Sequence, residues 1–412
     1  MNIMITVKAG CLGILTRLPS IFSIMIVSLL CLRCAQPRLS LETPLSYEVA
    51  VRMATHDLLV QINNQQEIIE KYKNLTFVTD TIINADTGDE IKISKQIADI
   101  VAKTAKEDFP KFSVIEMNSQ NLEQANYVII GTIKQEMYRE SKAKLPHLLL
   151  SIVERATGQI KAHSEVWISS QNMDLQPTSL FIDSPMYIKD SRFNAIIAIA
   201  KSASGSVANK EYFDMLATTA LLSEASNAYD NSDYPLALGL FAKAAERDDG
   251  LVMKTFTGLY QSLLKLHRPD EAEEIFGKLA ALGIRSGNLS IKFLFIVNDT
   301  NFFGDSQELS EYGIWIRQLA KELIAANVCI EISGHASNSG SAEYNKKLSN
   351  KRAKAIQKKL QAIAPEIAAR TSVVGRGVEE NIIGTGTDDI RDAIDRRVEF
   401  KLLDCNKMSS IK

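Results

Sequence analysis

The sequence predicts a multidomain α+β protein: an N-terminal α/β layer domain, a short helical-repeat segment, and a C-terminal βαβαβ sandwich with a mixed sheet. Three observations predict it. The chain has 412 residues, too many for one ordinary core and enough for about two to four domains. Its apolar pattern mixes helix and strand periods over residues 41–185 and 288–405, but is helical throughout 212–284. Within that helical stretch a short pattern recurs thirty-five residues later.

Hydrophobic content of 46% and charged content of 23% are those of a folded protein, and a net charge of -2 gives no reason to expect nucleic acid. Residues 1–34 carry Lys8 and Arg17, then an apolar run from Ile21 to Leu32. That run is too short to cross a hydrocarbon core of about 30 Å and suits the apolar region of an export signal. Cys34 follows, so lipid attachment at Cys34 is expected, although Arg33 stands where lipoprotein processing prefers a small residue. An uncleaved membrane anchor is the alternative. Either way, residues beyond the leader lie outside the cytoplasm.

Three of the five cysteines, Cys11, Cys31 and Cys34, belong to this leader. Cys329 opens a predicted strand and Cys405 closes the last one. They pair in an oxidising compartment if those strands are antiparallel neighbours; two half-buried thiols are the alternative. No Cys/His cluster has zinc spacing, so neither a metal ligand nor a cofactor is expected.

In the domain 41–185, a helix is predicted from Val49 to Tyr72 and a strand at Leu75–Val78. A second helix capped by Ser94 follows, with Ile97, Ile100, Val101 and Ala105 on one face. Strands are predicted at Phe112–Glu116 and Tyr127–Ile133. A hairpin then joins His147–Val153 to Ile160–Ile168 through Ala156-Thr-Gly-Gln159. This order, with Leu75-Thr-Phe-Val78 and Asn126-Tyr-Val-Ile-Ile-Gly131, resembles the envelope domain of flagellar FlgO and of the lipoprotein activators of penicillin-binding proteins, akin to CsgG. The resemblance implies protein contacts; a generic periplasmic scaffold is equally consistent. Residues 186–211 read as a linker, because Pro185 and Ser/Gly clusters interrupt the pattern.

Over 212–284, Tyr234-Pro-Leu-Ala237-Leu-Gly-Leu-Phe241-Ala-Lys243 recurs as Pro269-Asp-Glu-Ala272-Glu-Glu-Ile-Phe276-Gly-Lys278. Alanine lets two helices approach and phenylalanine fills the gap one turn on. The pattern resembles a tetratricopeptide helix pair, with a period of about 34. It implies a groove for envelope proteins; a helical spacer is the alternative.

The domain 288–405 opens with a strand at Ile291–Val297 and a helix at Ser306–Ala326 presenting Leu309, Tyr312, Ile316, Leu319 and Leu323. Strands follow at Val328–Ile332 and Arg396–Leu402. In the latter, Arg396 shares the face of Val398 and Phe400, so Arg396 points inward and Arg397 outward. On a helix from Tyr344 to Leu360, lysines occupy one half of the wheel; Tyr344, Leu348, Ala355, Ile356 and Leu360 occupy the other. Asn345, Ser349 and Arg352 sit in the middle of that apolar half. Buried guanidinium needs partners, so these three mark an inward polar site beneath the loop Gly334–Gly340.

Gly334-His335, Gly340, Tyr344-Asn345, Leu348-Ser349, Arg352-Ala353 and Asp395-Arg396-Arg397-Val398 resemble the OmpA-like peptidoglycan-binding signature in identity and spacing. The resemblance implies that Gly334, His335, Ser337, Asn338, Gly340, Asn345, Ser349, Arg352 and Arg396 bind a peptidoglycan stem peptide. There an aspartate and an arginine grip the ammonium and carboxylate of its diamino acid. Here Ser337 replaces that aspartate; it can accept from an ammonium but not neutralise it. The competing reading makes Arg352 a tie between the loop and Asp395 or Glu399.

Gly375-Arg-Gly377 lacks the third glycine of a dinucleotide fingerprint, Gly384–Asp389 lacks the lysine of a phosphate loop, and His335 has no adjacent catalytic partner. No catalytic residue is expected. The chain reads as a non-catalytic bacterial envelope protein, periplasmic and outer-membrane associated, anchored to peptidoglycan and holding protein partners with its other domains. The alternative is a structural subunit of an envelope-spanning secretion, pilus or flagellar machine with weak or lost wall binding.

Overall fold

The computed structural model describes residues 41–66, 73–139, 143–169, 173–189, 191–287, 289–381, 386 and 390–405. The leader with Cys34, residues 67–72 at the end of the helix predicted over Val49–Tyr72, and most of the 384–389 stretch lie outside them. Among the described residues, no helix is long and apolar enough to cross a membrane.

The first sheet has the order β3-β1-β4-β5-β6, built from β1 Leu75–Thr79, β3 Phe112–Glu116, β4 Tyr127–Met137, β5 Lys144–Glu154 and β6 Ile160–Trp167. The short β2, Ile83–Asn84, also pairs with β4. β1 is parallel to β3 and β4, whereas β4, β5 and β6 form an antiparallel meander. Side chains alternate across a strand, so the continuous apolar run of β4 needs cover on both faces. Ile129 and Ile133 join the core under α1 (Tyr47–Gln65) and α2 (Ile93–Asp108). Val128 and Ile130 join a second core on the opposite face.

That second core corrects the linker expectation. Residues 191–201 form a helix, α5 (Ser191–Lys201), after the short α3 (Ser119–Gln124) and α4 (Ser179–Asp183). Ala195, Ile196 and Ile199 of α5 are buried against the sheet. Arg192 binds the Asp80 carboxylate at 3.1 Å, and Tyr212 of α6 (Lys210–Asp214) donates to the same group at 2.7 Å. Two further expectations change. Ser94 does not cap α2: it lies inside the first turn and its hydroxyl donates to the Ile82 carbonyl at 2.7 Å. α3, capped by the Asn118 side chain, was not predicted.

Four helices follow: α7 Leu216–Asp230, α8 Tyr234–Ala245, α9 Met253–Lys265 and α10 Pro269–Ser286. The repeated Ala237, Phe241, Ala272 and Phe276 are all fully buried. A Cβ at Gly258 would fall 2.2 Å from the Phe241 ring, so α9 accepts that ring only with glycine there. Lys254 of α9 forms a buried ion pair with Glu90 of the first domain.

The second sheet has the order β7-β10-β8-β9: β7 Leu289–Leu294, β8 Cys329–His335, β9 Thr371–Gly377, β10 Arg397–Leu403. β10 runs antiparallel to β7 and β8, and β8 is parallel to β9. Because Leu403 pairs with Cys329, Cys405 reaches it, and the two form a disulfide with Cα atoms 5.2 Å apart. Helices α11 (Ser306–Ala326) and α12 (Ala342–Ile363) complete the domain. Tyr312, Ile316, Leu319 and Leu323 are buried, but Leu309 and Tyr344 are nearly half exposed, contrary to the helical-wheel reading.

This domain shares one apolar core with the helices before it. Trp315 of α11 stacks on Phe276 and donates its indole N–H to the Tyr260 hydroxyl at 2.7 Å. The edge strand β7 is covered in turn: Lys292 N–H donates to Pro185 O, Tyr187 N–H to Ser290 O, and Met186 bridges Ile291. An edge with free N–H groups invites foreign strands, and here the chain's own segment occupies it.

Candidate functional site

Two glycines bring α12 down onto its strands. A Cβ at Gly334 would lie 1.9 Å from the Ser349 carbonyl oxygen, and one at Gly375 would lie 2.5 Å from that of Lys346. The helix backbone therefore rests directly on β8 and β9. This contact turns Asn345, Ser349 and Arg352 inward, with exposures of 3%, 0% and 0%.

Each of the three ties main chain. Asn345 Nδ2 donates to Ser339 O at 2.7 Å, and Ser349 Oγ accepts from Gly377 N at 3.0 Å. Arg352 donates through Nε to Asp299 O (3.0 Å), Nη1 to His335 O (3.1 Å) and Nη2 to Ile296 O (2.9 Å), with its guanidinium 5.4 Å from the Phe295 ring centre. The fan of guanidinium donors spans two segments that no shorter side chain could join. Arg352 thus locks the turn after β7 to the end of β8.

The loop between β8 and α12 follows the His335 carbonyl that Arg352 holds. Ala336 N–H donates to Gly377 O at 2.8 Å, and Gly340 takes φ +82°, a left-handed conformation that favours glycine. Ser341 caps α12 by accepting from Tyr344 N. Asn338 is exposed, whereas Ser337 is 95% enclosed. With its amide oriented to suit its neighbours, Asn381 donates to Ala336 O and accepts from Asn338 N.

The turn 296–301 holds the other two carbonyls that Arg352 binds. Asp299 is half-buried, and its carboxylate accepts from the N–H groups of Asn301 and Thr300. These bonds, with the Arg352 charge behind them, hold its carboxyl below the usual range. Sequence reasoning missed Asp299; the only signal was the turn-forming run Asn298-Asp-Thr-Asn301. Arg396, buried in the bend just before β10, steadies the same turn by donating to Phe295 O at 3.1 Å.

Two residues stand elsewhere than the sequence suggested. The carbonyl of His335 meets Arg352, but its imidazole turns to the other side of the sheet. Gly334 faces α12, so the next side chain faces the opposite side of the sheet. There it lies fully enclosed beside Glu380, Glu399 and Arg397. Burial and the Arg397 charge lower its pKa to about 3, which keeps the ring neutral. Arg397 also points to that face, yet it is buried: it donates to Glu399 at 2.7 Å and to Glu380 O at 3.1 Å. Outward across the sheet is not outward to solvent.

Residues 302–394 match the model of the OmpA family. A peptidoglycan-associated lipoprotein of Pseudomonas aeruginosa is 37% identical over 84 residues, 20% of this chain and 48% of that protein. The chain thus spans about half the length of that curated relative. Among solved structures, the peptidoglycan-associated lipoprotein from Burkholderia pseudomallei is 24% identical, with 27% of this chain and 89% of that one covered and a TM-score of 0.24. The cell wall anchor of the T6SS from Pseudomonas aeruginosa is 24% identical, with 27% and 78% covered and a TM-score of 0.23. The C-terminal part of the chain is an OmpA-like domain within a mixed α/β protein.

Proposed function

We propose that the C-terminal domain anchors this protein to peptidoglycan, taking the diamino acid of a stem peptide into the cleft between turn 296–301 and loop 336–341. The observation that carries the reading is the pairing of opposite charges there: an ionised Asp299 at the mouth and the buried Arg352 beneath it. The ligand's ammonium meets Asp299, which supplies the negative charge that Ser337 lacks. The ligand's carboxylate is drawn by Arg352. Since that side chain is wholly enclosed, direct contact needs the 336–341 loop to move aside, and Asn338 and Gly340 lie on that loop. Asn345, Ser349 and Arg396 hold the walls in register. His335 contributes its carbonyl to the scaffold.

The reading places the protein in the bacterial periplasm, exported by its leader and held to the outer membrane by lipid on Cys34. The first domain and the α7–α10 helices hold envelope proteins, in keeping with their FlgO-like and tetratricopeptide-like patterns. The relatives named for peptidoglycan association support wall binding, and binding alone accounts for the site without catalysis.

Sedimentation of the purified chain with peptidoglycan sacculi tests this. Wild type should co-sediment, and Asp299→Asn, a change at the cleft's mouth, should lose most binding while melting normally. A second reading rests on the enclosed Ser337: a structural subunit of an envelope machine that has lost its wall ligand. It holds if wild type stays in the supernatant and Ser337→Asp restores sedimentation.

A further inference from the structure

We propose that His335, Glu380 and Glu399 form a binding site for a divalent transition-metal cation of the zinc class. The site lies on the sheet face away from α12, separate from the wall-binding cleft, and does not depend on that reading. The sheet assembles it from distant parts of the chain. His335 ends β8, Glu399 lies on the neighbouring β10 opposite Ser333, and Glu380 follows β9. One candidate ligand atom from each residue lies within 4.8 Å of the others.

One of the two imidazole–carboxylate distances suits an ion. His335 Nε2 is 3.6 Å from Glu399 Oε2, and Nδ1 is 3.9 Å from Glu380 Oε2. Both exceed hydrogen-bond length. With metal–ligand bonds of about 2.0–2.2 Å, two ligands of a tetrahedral ion stand about 3.4 Å apart. An ion takes one nitrogen of a ring, so Nε2 is the candidate ligand: its pair with Glu399 is already near that separation, and Glu380, which lies by Nδ1 with its side chain 55% exposed, must swing round to complete the site.

An independent observation points the same way. The His335 imidazole is fully buried, and neither ring nitrogen has a hydrogen-bond partner. Buried polar groups are seldom left so. One nitrogen of a neutral imidazole keeps a lone pair that a metal can take. Glu399 is prepared as a ligand: Arg397 holds its Oε1 at 2.7 Å and leaves Oε2 towards the imidazole. Such outer partners fix ligating carboxylates in metal sites. Of the nearby arginines, Arg376 is paired with Glu331, and Arg397 shares the Glu399 carboxylate with the ion. An imidazole with two carboxylates favours zinc, cobalt, nickel or manganese over calcium or magnesium.

The test is calorimetric titration of the metal-free full chain with Zn²⁺, with the absorption spectrum of the Co²⁺ form as a second readout. Wild type should bind one ion, melt at a higher temperature with it, and show cobalt bands of nitrogen and oxygen ligation. Glu380→Gln, at an exposed position, should keep its metal-free melting temperature and lose at least about tenfold in affinity. Glu399→Gln should lose more. Asp299→Asn should bind the ion as wild type does, which separates this site from the cleft. Failure of wild type to bind Zn²⁺, Co²⁺, Ni²⁺ or Mn²⁺ overturns the proposal. So do equal affinities in wild type and both glutamate variants, or a thiolate charge-transfer band, either of which places the ion elsewhere.

Discussion

Replacing Arg352 with lysine keeps the charge but removes the fan of donors. The guanidinium makes three bonds to carbonyls of two segments, at 2.9–3.1 Å. Hydrogen bonds to charged groups contribute about 1.5–3 kcal/mol each. A single ammonium on a shorter stem can reach one of these segments, not both. Allowing for non-additivity, Arg352→Lys should cost about 3–5 kcal/mol of local stability. The loss should be local, because the core under α12 depends on Leu348, Ile356 and Leu360 rather than on this side chain. Amide hydrogen exchange reads it directly. The N–H groups of Ile296, Asp299 and Ala336, all bonded within the two walls, should exchange at least about a hundredfold faster, with little change in α10 or β5. Unchanged exchange at those three amides would refute the argument that Arg352 joins the walls.

Gly334→Ala should lower the melting temperature severely, because its Cβ meets backbone at 1.9 Å and α12 must lift; the cost should reach or exceed the usual overpacking range of about 1–3 kcal/mol. A melt like wild type would show that α12 rides higher on β8. Lys254→Met leaves Glu90 buried and unpaired, and should cost about 3–5 kcal/mol. The double variant with Glu90→Leu should recover most of that loss, and a double-mutant cycle showing no coupling would contradict it. Cys329 and Cys405 close a loop of sequence separation 76, so reduction should destabilise the C-terminal domain by about 4–5 kcal/mol on chain-entropy grounds. Denaturation with and without reductant measures this, and identical midpoints would argue against it.

The inward polar stripe of α12 was legible because a 3.6-residue period fixes which side chains share a face, and Asn345, Ser349 and Arg352 obeyed it. Period 2 does not carry over to Arg396, which is buried in the bend before β10 rather than on the strand. What covers a face is a tertiary fact. Tyr187, brought in along β7, lies near Arg397 and Glu399, and no local pattern announces that. Helix α5 escaped notice because Arg192, in its first turn, is a buried ion-pair partner of Asp80 across 112 positions. Asp299 and the group of His335, Glu380 and Glu399 were hidden for one reason: strand register and a loop crossing assemble them, not spacing along the chain. Leu309 was misread as core: it lies in the first turn of α11 and is 46% exposed, which its helical spacing does not reveal.

The central claim is recognition of a diamino acid by opposite charges, and titration with a soluble stem-peptide fragment tests it most directly. Two fragments are needed, one with the free side-chain amine and one with that amine acetylated. The account predicts that wild type binds the first, that added salt weakens binding, and that both acetylation of the ligand and Asp299→Asn abolish it. Equal affinity for the two fragments, or full binding by Asp299→Asn, would contradict it.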